Sequence, residues 1–177
     1  MELLNLSVKD YLDELSKKVS TPGGGSALAI VLSLSASLGL MALNFTVNKK
    51  GYEDKQEKVK EYILKFEEIK NVGEKLIDED AKSYKALMDA YRKKDETAIR
   101  KAACYACEVP LTLYLKAKIL EEYLIDIHPL CNKNLLSDVD IALDLINSVY
   151  SGSKANLLLN IADVPEEKKM EYLSLLK

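Results

Sequence analysis

Thirty consecutive positions, Val19 to Asn48, hold no charged residue and no histidine, in a 177-residue chain of which 30% is charged. Such a run must be covered by lipid or by protein. Ala27 to Val47 has the length to span a bilayer, which takes about 20 apolar residues. Against a span, Ser33, Ser35, Ser37, Asn44 and Thr46 interrupt the run, no Trp or Tyr belt borders it, and the flanking segments are amphipathic. The expectation is a long buried helix at the centre of a soluble bundle, with no membrane partner. The run opens on Thr21-Pro22-Gly23-Gly24-Gly25-Ser26. Three glycines in a row suit a backbone that turns tightly or lets another group come close. A helix starting after them aims unpaired N–H groups at the same space, so the loop is expected to carry a ligand. Ser26 is expected to cap that helix.

The remaining segments follow the helical period. Val8 to Val19 repeats apolar residues at Val8, Tyr11, Leu12, Leu15 and Val19. Gly51, in the lysine-rich corner Lys49-Lys50-Gly51-Tyr52, is expected to end the uncharged helix. From Glu53 one face runs through Tyr62, Phe66, Ile69, Gly73, Leu76, Asp80, Tyr84, Leu87 and Tyr91. Thr97 to Ile127 is helical, with Pro110 expected to kink or split it. Ser137 and Asp140 resemble a capping box opening a further helix, and a last helix covers 165–176. No strand pattern or internal repeat is evident. The fold class is all-α, a multi-helix bundle in a single domain over residues 1–177.

A net charge of −3 and a pI near 5.4 leave no electrostatic footprint for nucleic acid. The N-terminus carries no secretory signal pattern. Three cysteines, an odd number, suit a reducing cytosol, and a cytoplasmic location is expected. Cys104-x-x-Cys107 with His128-x-x-Cys131 has zinc-like spacing, but the first pair sits in mid-helix without knuckle glycines; the expectation is no metal, with the cysteines as small buried hydrophobes. One histidine and no G-x-S-x-G turn give a serine triad no support, and the glycine loop lacks the Lys-Ser/Thr of a Walker loop.

Three features can carry chemistry. Asp80 interrupts an otherwise apolar or aromatic seam, so it has a buried partner, such as a neighbouring helix terminus, or awaits a ligand; Tyr84 lies one turn on and can share its site. Ser26, Ser33, Ser37, Asn44 and Asn48 fall in one sector of the uncharged helix. For the serines, close helix packing is the simpler reading. Asn132-Lys133-Asn134 with Ser137-Asp138 is open to two readings, loop and cap residues or polar recognition.

These segments, in this order, resemble the cyclodeaminase domain of the formiminotransferase-cyclodeaminase family, which includes stand-alone methenyltetrahydrofolate cyclohydrolases. The matching blocks are Thr21 to Ser26; Asn44 with Lys49-Lys50-Gly51-Tyr52; Asp78-Glu79-Asp80-Ala81 leading to Met88-Asp89-Ala90-Tyr91; Glu108-Val109-Pro110-Leu111; Asn132-Lys133-Asn134 with Ser137-Asp138; and Asn156-Leu157-Leu158-Leu159-Asn160. The resemblance implies a homodimer with a folate site near the glycine loop, acting at the bridge between N5 and N10 without metal or cofactor. It implies Asp80 and Asp138 as catalytic carboxylates, one moving protons and the other orienting the substrate. Substrate contacts would come from Gly23, Gly24, Gly25, Ser26, Asn44, Lys49, Lys50, Tyr84, Asn134, Ser137 and Asn160. Cys131 and Asp140 stand where the family usually has glycine, and Tyr84 where it has phenylalanine. The rival expectation is a non-catalytic dimeric module that binds a folate-like ligand.

Overall fold

The computed structural model describes residues 2–176, and they form helices and turns with no strand among them. Six α-helices follow one another: α1 (Val8–Leu15), α2 (Gly24–Asn44), α3 (Gln56–Lys93), α4 (Glu96–Ile127), α5 (Leu136–Asn160) and α6 (Glu166–Leu175). The four long ones make the bundle. Helix α2 packs against α3 and α5, and α4 packs against the same two from the diagonal position. Phe66, Ile69, Leu32, Leu43, Leu113, Leu120 and Ile146 are among the side chains that fill the core between them. A second cluster, including Cys107, Tyr114, Leu157 and Tyr172, docks α6 against α4 and the end of α5.

Helices α2 and α3 run antiparallel and unusually close, because small residues face larger ones at three levels. A Cβ on Gly25 would lie 2.0 Å from Asp80 Oδ1, one on Gly73 2.3 Å from Ser33 Oγ, and one on Gly39 2.1 Å from Phe66 Cε1. The contact partner advances along α2 as it retreats along α3, so the three contacts lock one register. Ser33 and Ser37 meanwhile return their hydroxyls to the carbonyls of Ala29 and Ser33 on their own helix. The small residues of α2 thus serve close packing within the chain.

Several local expectations change. Helix α1 stops at Leu15, where a tighter turn from Lys17 N–H to the Glu14 carbonyl (3.2 Å) closes it, and the chain then crosses to α2. Helix α2 ends at Asn44, before the lysine corner, and the left-handed residues Asn48 (φ 55°) and Gly51 (φ 85°) turn the chain toward α3. Pro110 does not split α4, which continues through it from Glu96 to Ile127. Ser137 and Asp140 form no capping box. Leu135 precedes α5 without a side-chain cap, while Asp140 Oδ1 lies 3.3 Å from His128 Nε2.

Helix α2 is long and apolar enough to cross a membrane by composition, but one face of it is sealed in the bundle. Ala29, Leu32, Ala36, Ala42 and Leu43 are wholly buried. Its opposite face is a different matter: Leu34 is 51% exposed and Phe45 61%. Ala27, Ile30, Val31, Leu34 and Ser37 line a shallow apolar groove with Val8, Leu12 and Leu15 of α1. The expected full burial of the uncharged helix is therefore half met within one chain.

Candidate functional site

The N-terminal end of α2 is built around a carboxylate from another helix. Gly23 occupies the cap position in extended conformation and offers no side chain to the first turn. Ser26, three residues in, is not the cap. Instead, its backbone N–H donates to Asp80 Oδ2 at 3.0 Å, and its hydroxyl meets the buried Tyr11 hydroxyl of α1 at 2.9 Å. Asp80 thus caps α2 from α3, 54 positions away in sequence. Gly25 is required for this approach, since any Cβ would occupy the carboxylate's position.

Burial raises the Asp80 carboxyl above its ordinary value of 3.8, and the Ser26 N–H offsets only part of that. A carboxyl whose pKa burial has raised is the better suited to take a proton and return it during a reaction. The nearby Tyr11 hydroxyl is also shifted upward, chiefly by burial and to a smaller degree by the Asp80 charge.

A cleft of about 210 Å³ opens beside Asp80. Thr21, Gly23, Gly24 and Gly25 form its loop wall, Asp80, Ser83 and Tyr84 its α3 wall, and Asn156 and Asn160 its α5 wall. Asp80 is the single charged residue among those lining it. Larger hollows exist, of about 570 Å³ around Tyr91, Arg100 and Glu166 and about 710 Å³ around Lys93, Lys101 and Glu108. Neither brings a carboxylate against a glycine backbone, whereas the glycine-loop cleft sets Asp80 of raised pKa at such a close approach.

The far wall depends on a defect in α4. Pro110 has no N–H to give the Ala106 carbonyl. Asn160, the last residue of α5, supplies the missing donor, with its Nδ2 2.8 Å from that oxygen. Its amide is therefore committed to the scaffold of the cleft as well as lining it. Replacing Asn160 with leucine strands the carbonyl, and thermal unfolding should report a loss of about 1–3 kcal/mol. Adding Pro110→Ala restores an N–H at that position and should recover part of the loss.

The structure divides the expected site residues in two. Gly23, Gly24, Gly25, Asp80, Tyr84 and Asn160 share the cleft, and Ser26 holds its carboxylate. Asn44, Lys49, Lys50, Asn134, Ser137 and Asp138 gather at the opposite end of the bundle. There Asn132 N–H donates to Thr46 Oγ1 at 2.8 Å, and Lys133 N–H to the Tyr52 hydroxyl at 3.1 Å. Asp138 opens α5 while Asn156 near its end lines the cleft, a separation of about 27 Å at 1.5 Å per residue. Within one chain Asp80 and Asp138 cannot act on the same atom. The cysteines are likewise dispersed, with Cys107 midway along α4 and Cys131 past its end, and no group of three or more metal-ligating side chains forms among the described residues.

Asn156 was not among the expected contacts, although it stands four residues before Asn160 and so on the same helical face. Tyr11 was read as an apolar position, and only its hydroxyl's contact with Ser26 reveals its part in the site.

Comparison with known proteins adds an independent line. The family model described as formiminotransferase-cyclodeaminase matches residues 7–174. The methenyltetrahydrofolate cyclohydrolase of Methylorubrum extorquens is 28% identical over 163 residues, covering 87% of this chain and 77% of that protein. The formimidoyltransferase-cyclodeaminase of Mus musculus is 25% identical over 174 residues; the match takes in 93% of this chain but only 32% of the mouse protein. The crystal structure of formiminotetrahydrofolate cyclodeaminase from Thermotoga maritima superimposes with a TM-score of 0.93 at 31% identity, covering 99% of this chain and 88% of that one.

Proposed function

The chain belongs to the formiminotransferase-cyclodeaminase family, and from that premise we propose that it is a folate one-carbon enzyme acting at the N5/N10 bridge, as a formiminotetrahydrofolate cyclodeaminase or a methenyltetrahydrofolate cyclohydrolase. The observation that carries this reading is Asp80, a half-buried carboxylate of raised pKa held by the Ser26 N–H at the mouth of a glycine-walled cleft.

One carboxylate serves either reaction. In the deaminase, N10 attacks the formimino carbon on N5 and a C–N bond forms. The formimino nitrogen enters protonated, as an amidinium; Asp80 takes the N10 proton and returns it to that nitrogen, which leaves as ammonia while the cationic methenyl bridge closes. In the cyclohydrolase, water attacks the methenyl carbon and Asp80 takes its proton. The bond to N5 then breaks, N5 receives that proton, and the proton on the new hydroxyl is lost to solvent as the formyl group forms on N10. Neither sequence changes an oxidation state, so side-chain proton transfer suffices and no cofactor is invoked. The pterin would present its donor edge to the polar wall of Thr21, Asn156 and Asn160, with Tyr84 beside the ring.

We place the enzyme in the cytoplasm, as a homodimer. The support for a dimer is the uncharged outer face of α2, where Leu34 and Phe45 stand exposed beside an apolar groove.

Methenyltetrahydrofolate absorbance tests the assignment. A cyclohydrolase will consume it; a cyclodeaminase will generate it from the formimino compound. The productive form of Asp80 is the ionised base, so the rate should rise with pH and its acid limb should lie above 3.8, the ordinary aspartate value. If folate binds but neither assay exceeds the buffer rate, the protein is a binding module instead.

A further inference from the structure

We propose that Tyr11 of α1 is a positioning residue for the chemistry at Asp80, acting through the Ser26 hydroxyl. This rests on the folate reading above, in which Asp80 is the proton-transfer group. Ser26 is wholly buried and bonds in two directions. Its backbone N–H donates to Asp80 Oδ2 at 3.0 Å, and its hydroxyl meets that of Tyr11 at 2.9 Å. Tyr11 is the one buried side chain of α1, whose Val8 and Leu12 stay exposed. The turn ahead of α1 is pinned as well, since Asp78 Oδ1 accepts the Leu3 N–H at 2.6 Å. Asp78 lies two positions before Asp80 on α3. The N-terminal arm is thus tied at both points to the helix pair that carries the site.

Packing alone does not call for these hydroxyls. A phenylalanine over an alanine would fill the same space without taking two hydroxyls out of water. What the pair adds is direction: with its hydroxyl held, Ser26 keeps the first turn of α2, and so its N–H, aimed at Asp80. The phenol ring also fills a polar space that water would otherwise enter. Burial is the larger influence on the Asp80 carboxyl, raising it against the smaller, opposite effect of the Ser26 N–H. The Tyr11 hydroxyl is itself shifted upward, first by burial and in smaller part by the Asp80 charge, so the two groups sense each other. No second charged side chain lines the cleft among the described residues. The loop and α2 face Asp80 with glycines and Ser26, α5 with Asn156 and Asn160, α4 with Ala106, and α3 with Ser83 and Tyr84. Its acidic neighbours on α3 are engaged elsewhere, Asp78 with the N-terminal turn and Glu79 with Lys82 and the Tyr105 hydroxyl.

The test compares Tyr11→Phe, Ser26→Ala, the two combined, and Tyr11→Ala, each in the full chain with its helical spectrum recorded. kcat and KM are read for methenyltetrahydrofolate or the formimino compound. The Asp80 carboxyl is titrated without substrate by NMR of its carboxyl carbon, identified as the resonance missing from Asp80→Asn. Tyr11→Phe keeps the ring and should lower kcat about tenfold with KM near wild type, the signature of a misaimed group rather than a lost contact. Removing both hydroxyls should cost no more than removing either, because neither acts without the other. Tyr11→Ala admits water, so its Asp80 carboxyl should titrate at a lower pH than in wild type, nearer 3.8, and the acid limb of kcat should move down with it. The titration in Tyr11→Phe should not fall. If Tyr11→Ala does not fold, the three hydroxyl variants decide alone. Three results overturn the proposal: a Tyr11→Phe variant with wild-type kcat, losses that multiply in the double variant, and a folded Tyr11→Ala variant whose carboxyl titrates as in wild type. With an active wild type, these remove only the role of Tyr11. A wild type that turns over neither folate removes the enzymatic reading, and this inference with it.

Discussion

Replacing Asp80 with asparagine will lower turnover by about 10²–10⁴-fold, the range that a general acid–base residue supplies. The helical spectrum should stay unchanged, because the asparagine oxygen can still accept the Ser26 N–H that Asp80 now receives at 3.0 Å. Retained geometry is the reason this substitution isolates chemistry from architecture. Asparagine is nearly isosteric and fills the space opposite Gly25, but it neither accepts nor returns a proton at neutral pH. The measurement is kcat for the methenyl or formimino substrate, with the binding of tetrahydrofolate followed in parallel. Preserved binding with lost turnover identifies a proton-transfer group. Loss of both would make Asp80 an anchor for the α2 terminus and nothing more. Turnover at wild-type level would remove the residue from the mechanism altogether.

Changing Gly25 to alanine should also abolish turnover, by about 10²-fold or more, since it displaces the same general acid–base group. The new Cβ would lie 2.0 Å from Asp80 Oδ1 and 2.6 Å from its Cγ, so the carboxylate must swing away. Stability will respond far less. Losing the cap costs about 0.5–2 kcal/mol, while alanine in place of a helical glycine returns about 1 kcal/mol. The two nearly offset, so thermal unfolding should move by only a few degrees while kcat collapses. Gly24→Ala is the companion measurement. Its Cβ would meet only Asn156 Nδ2, at the ordinary contact distance of 3.7 Å, and it leaves the Asp80–Ser26 bond in place. That variant should keep a much larger share of activity. If Gly25→Ala and Gly24→Ala behave alike, the close approach of Asp80 is not what the glycine serves.

The fold was legible in the chain because periodicity is a local property. Tyr62 through Tyr91 repeat at helical steps, and the structure carries them on one uninterrupted helix, α3. Local signals failed where the deciding partner is remote. Ser26 has the composition of a cap, but the carboxylate that does the capping comes from α3. Pro110 was expected to kink or split α4, yet a donor from α5 mends the gap it leaves. Asp80, Tyr84 and the glycines could be grouped because a glycine run and a carboxylate in an apolar seam each stand out alone. Lys49, Lys50 and Asp138 could not be placed in relation to them. Sequence order does not say which end of a 30 Å helix faces which, a length that follows from about 20 residues at 1.5 Å each.

The Asn160–Ala106 clasp carries a consequence for how the protein comes into being. A chain is made from its N-terminus, so the glycine loop, Asp80 and Pro110 all exist well before Asn160 does. Until Asn160 arrives, the Ala106 carbonyl lacks the donor that mends α4, and the cleft lacks its α5 wall. A nascent chain can therefore assemble the α2–α3 pair, with Asp80 already set against the glycine loop, before the cleft beside it has its last wall.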